Sequence, residues 1–90
     1  MTLQEVMTKA REGGYQPAFK HREPGMRVGV VGLYAFRTIQ VDDLFLDPEF
    51  WRALGRTLGW QHECVWRGQW QGFIDHVAQG NTPASFFAML

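Results

Sequence analysis

Apolar residues at Leu3, Val6, Met7 and Ala10 recur at i, i+3, i+4 and i+7, the spacing of one helical face. Thr2-x-x-Glu5 is a capping-box pattern at its start, and Gly13-Gly14 supplies a stop. A helix over about 3–12 follows. Residues 15–25, YQPAFKHREPG, hold two prolines and read as a loop with a basic centre. The pattern then changes period. Residues 26–41, MRVGVVGLYAFRTIQV, are β-branched and aromatic, and Met26, Val28 and Val30 alternate with Arg27 and Gly29. An extended segment or hairpin is expected there, with Gly32 placed for a turn or bulge.

Helical periodicity returns at LDPEFWRALGRTLGW, residues 46–60. Asp47 suits the N-cap, and Pro48 suits the first helical position, where its missing N–H costs nothing. Glu49 places negative charge at the positive end of the helix. Phe50, Trp51, Leu54 and Leu58 form the apolar stripe, and Gly59 closes a helix over about 48–58. Gly55 lies inside it, where glycine costs about 1 kcal/mol relative to alanine. Close approach of another helix or of a ring would explain it. Trp66, Trp70, Phe73, Ile74 and Val77 define the strongest periodic segment, about 66–79. Arg67, Gln71 and Asp75 lie opposite, and Gly80 stops the helix. Thr82-Pro83 repeats the cap-and-proline start and opens a last helix over about 83–90.

The expected fold is therefore mainly α: a small four-helix domain, residues 1–90, with a short central β-hairpin or extended segment. A 90-residue chain buries only about two-thirds of its unfolded surface and must gain the most from each buried side chain. Four tryptophans between positions 51 and 70 fit that need, since each large buried side chain is worth roughly 2–3 kcal/mol. Trp51, Trp66 and Trp70 sit on predicted core faces, whereas Trp60 lies just past a helix end. At 46% hydrophobic and 20% charged, the composition excludes a disordered chain.

Charge adds one asymmetry. Residues 1–40 carry six Lys/Arg against three Glu, and residues 41–90 carry three Arg against six acids, for zero net charge. Lys20, Arg22, Arg27 and Arg37, with Tyr15 and Phe19 near them, form a candidate nucleic-acid surface of cations and stacking rings. The pI of about 6.8 argues against a dedicated nucleic-acid domain. No signal peptide is evident, and no stretch reaches the roughly 18 apolar residues of a membrane span. A cytoplasmic location, in a host cell, and no membrane partner are expected.

The chemistry-bearing residues form no convincing set. His62, Cys64 and His76 lack the paired spacing of a zinc site, and Cys64 with His76 is a weak nucleophile–base pair. Gly29-x-x-Gly32 lacks the third glycine and following helix of a dinucleotide fingerprint. Asp42, Asp43, Asp47 and Glu49 form an acidic cluster, but the last two already serve a helix start. No enzyme activity, metal or cofactor is expected. Trp60, Phe86 and Phe87 are instead the candidate partner-binding residues, because a terminal aromatic helix docks either on its own core or on another chain.

LFLDPEFWRALGRTLGW followed by WQGFIDHVAQG and SFF resembles a group of small, uncharacterised bacteriophage and prophage proteins. The shared residues are the helix start Asp47 to Gly55, then Leu58-Gly59-Trp60, and a helix ending near Ile74-Asp75. The resemblance covers about residues 44–88 and leaves 15–41 outside. It implies a phage or mobile-element origin and, through that origin alone, modulation of host machinery such as inhibition of a defence complex. The small size, the lack of a catalytic set and the surplus of aromatics point to a non-enzymatic protein that binds a protein or dimerises. The resemblance carries no catalytic residue. The alternative expectation is a nucleic-acid-binding accessory protein using the basic loop 20–27.

Overall fold

The computed structural model describes residues 1–16, 28–34 and 37–90. Among these are α1 (Leu3–Glu12), β1 (Val28–Tyr34), β2 (Arg37–Asp42), a 3-10 turn (Asp43–Leu46), α2 (Pro48–Leu58), α3 (Glu63–Ala78) and α4 (Pro83–Ala88). The fold is mainly helical. Met26, Arg27 and Ala35, part of the expected extended segment, lie outside the described residues.

Local chemistry accounts for the helix ends. Thr2 Oγ1 accepts from Glu5 N at 3.1 Å, and Glu5 Oε1 accepts from Thr2 N at 2.9 Å, so the capping box is closed. Asp47 Oδ1 accepts from Glu49 N at 2.9 Å with Pro48 next to it at the start of α2. Gly59 ends α2 in the left-handed region at φ 85°, which only glycine adopts at little cost. The N–H of Trp60 then folds back to Gly55 O at 2.7 Å.

α3 starts a turn earlier than its apolar periodicity. His62 is its extended N-cap residue, and Glu63 pairs with Arg67 at 3.1 Å. Cys64 and Val65 are exposed, so this first turn carries no buried stripe for periodicity to detect. α4 ends at Ala88 rather than at residue 90, and the N–H of Met89 closes it onto Phe86 O.

β1 and β2 are antiparallel, with Val28 opposite Asp42 and Tyr34 opposite Arg37. The register shifts between Val31 and Leu33, so Gly32 is the extra residue of a bulge. Because the strands pair directly and antiparallel, no βαβ unit surrounds Gly29 and Gly32. The pair lies against α3, while α1 packs on α2 and α4, and α2 packs on α3.

The core is dominated by rings. Phe50, Trp51, Phe73 and Phe87 are fully buried, with Val6, Leu54 and Val77 around them. Trp51 stacks on Phe87 with centroids 5.6 Å apart, and Phe73 stacks on Phe87 at 5.4 Å. Trp66 is also buried, and its ring is flanked by the guanidinium groups of Arg52 at 5.2 Å and Arg67 at 5.0 Å. A domain this small thus seals one indole with the stems and charges of two surface arginines. Trp60 and Trp70 are half-buried against the same core.

Among the described residues, three core members are invisible to periodicity. Leu44 and Phe45 are carried by the 3-10 turn, and Tyr15 follows α1. Conversely, Leu3 and Met7 belong to the predicted apolar stripe of α1, yet only Val6 and Ala10 of this helix are fully covered.

Candidate interaction surface

The structure corrects the assignment of Phe86 and Phe87. Adjacent helical side chains point about 100° apart, so a helix resting on a single surface buries only one of them well. Both are buried instead. α4 sits against both α3 and α1, so two of its sides face the protein. Phe87 enters the ring stack of Trp51 and Phe73, and Phe86 meets Phe73 edge-on at 5.4 Å and His76 at 5.6 Å. Neither ring is available to a partner. Trp60, tied back to Gly55, keeps part of its surface in solvent.

The apolar side chains that do face solvent lie elsewhere. Met89 is 68% exposed, and Leu3, Leu90 and Val65 are each near 40%. Leu3 and Glu5 from α1, with Met1, line an open groove of about 670 Å³ whose other wall is Ala84 and Ala88 of α4. A second groove of about 320 Å³ runs along α1 between Leu3, Gln4, Met7 and Arg11. Leu3 and Gln4 line both. The walls are held in place by the caps: Thr82 Oγ1 accepts from Ser85 N at 3.2 Å, and the capping box orients the first turn of α1. The Met1 amine donates to Phe87 O at 2.7 Å, which joins the α1 end to α4.

Glu5 lies at the rim of this groove. The Thr2 backbone N–H, and then the Thr2 hydroxyl, stabilise its charged form and hold the carboxyl below the usual value of 4.5.

The other candidate chemistry is dispersed or structurally engaged. His62 and Cys64 are exposed at the start of α3, whereas His76 Nε2 lies 2.7 Å from Ser85 Oγ. Ser85 Oγ itself donates to Thr82 O at 2.8 Å, so it accepts from the imidazole and helps clasp α4 to α3. Among the described residues, no three His, Cys, Asp or Glu side chains come together as metal ligands. Asp42 Oδ1 accepts from Leu44 N at 3.1 Å and caps the 3-10 turn. Asp47 Oδ2 accepts from the Tyr15 hydroxyl at 3.2 Å while Oδ1 caps α2.

Of the basic candidates, Lys20, Arg22 and Arg27 lie outside the described residues, as does Phe19; Arg37 opens β2. Tyr15 is buried and meets Phe50 edge-on at 5.4 Å, so its ring is part of the core and cannot stack on a base. Among the described residues no helix is long and apolar enough to cross a membrane. Comparison with protein-family models, with curated proteins and with solved structures finds no match.

Proposed function

We propose that this chain is a small non-enzymatic protein that works by contact, either with another protein or with a second copy of itself, through the face formed by α1 and α4. The observation that carries the reading is the exposed Leu3, which lines an open groove walled on its other side by Ala84 and Ala88. Covering apolar surface yields about 25 cal/mol per Å². Alanine walls let a partner's backbone approach closely. The resemblance of residues 44–88 to small phage and prophage proteins supports a phage or mobile-element origin. Modulation of a host complex in the cytoplasm, inhibition of a defence complex included, is the role that such an origin favours.

Light scattering of the purified protein at low salt, with and without a DNA oligonucleotide of arbitrary sequence, tests this reading. A dimer whose mass is unchanged by DNA supports it. A monomer that shifts with DNA and reverts on adding salt overturns it in favour of a surface built from Lys20, Arg22, Arg27 and Arg37, because phosphate contacts are lost as counterions compete.

A further inference from the structure

We draw no further inference here: the strongest candidate, the open groove between the first turn of α1 and α4, belongs to the surface already described, and nothing in the structure shows which chemistry covers it.

Discussion

The indole N–H of Trp51 donates to the carbonyl of Phe45 at 2.8 Å, inside the core. This bond ties the 3-10 turn to α2, and Phe45 in turn contacts Phe50, Phe73 and Phe87. Trp51→Phe removes the donor, leaves a buried carbonyl unpaired and opens space beside Phe87. We expect a loss of about 2–4 kcal/mol. Urea unfolding of the two proteins checks it: the midpoint falls while the slope stays the same. A loss below about 1 kcal/mol would show that the carbonyl regains a partner.

Glycine substitutions separate close packing from helix propensity. A Cβ at Gly13 would lie 1.9 Å from the backbone oxygen of Ala53, where α1 crosses α2. Gly13→Ala must push the two helices apart, and a loss of about 1–3 kcal/mol is expected. At Gly68, within α3, an added Cβ meets nothing within 4 Å. Gly68→Ala should therefore stabilise by about 0.5–1 kcal/mol. Thermal unfolding of both variants should move the midpoint in opposite directions. The same sign for both would contradict the packing at Gly13.

Glu5 sets a pH dependence for α1. Its folded-state carboxyl titrates below the value it has in the unfolded chain, because Thr2 stabilises the charged form. The resulting stability is present above the unfolded value and is lost as pH falls through the lower, folded one. Stability of the parent protein should decline below about pH 4.5 more steeply than that of Glu5→Gln, which lacks the titrating group. Parallel profiles for the two proteins, recorded by circular dichroism from pH 6 downward, would show that the charge of Glu5 contributes nothing measurable.

The α1–α4 face can be tested without touching the core. Leu3 and Ala88 line the groove and are both exposed, so Leu3→Glu with Ala88→Glu should leave the unfolding midpoint nearly unchanged. On the proposed reading, self-association measured by sedimentation falls at least tenfold. A dimer of unaltered affinity would place the contact on another face.

The local part of this structure was legible in the sequence because its causes are local. Thr2 with Glu5, Asp47 with Pro48, and Thr82 with Pro83 satisfy helix-end N–H groups from within four residues, so the pattern that predicts each helix start is also its cause. Gly55 announced a close neighbour for a similar reason, and a Cβ there would meet Trp60 O at 2.8 Å and Trp66 Cβ at 3.1 Å. The candidate surface was far less legible. Phe86 and Phe87 look alike to periodicity, and only the seat of α4 between α1 and α3 buries both.

The sequence by itself determined which segments are helical, where α1, α2 and α4 begin, and that large rings would supply the core. Tertiary structure decided which rings those are, recruiting Phe45 from the 3-10 turn and Tyr15 from beyond the end of α1, and it decided which apolar side chains are left over. The physical reason is that capping and periodicity act within a turn or two of chain. Burial depends instead on which faces meet, and Leu3 stays partly exposed although it shares an apolar stripe with the buried Val6 and Ala10.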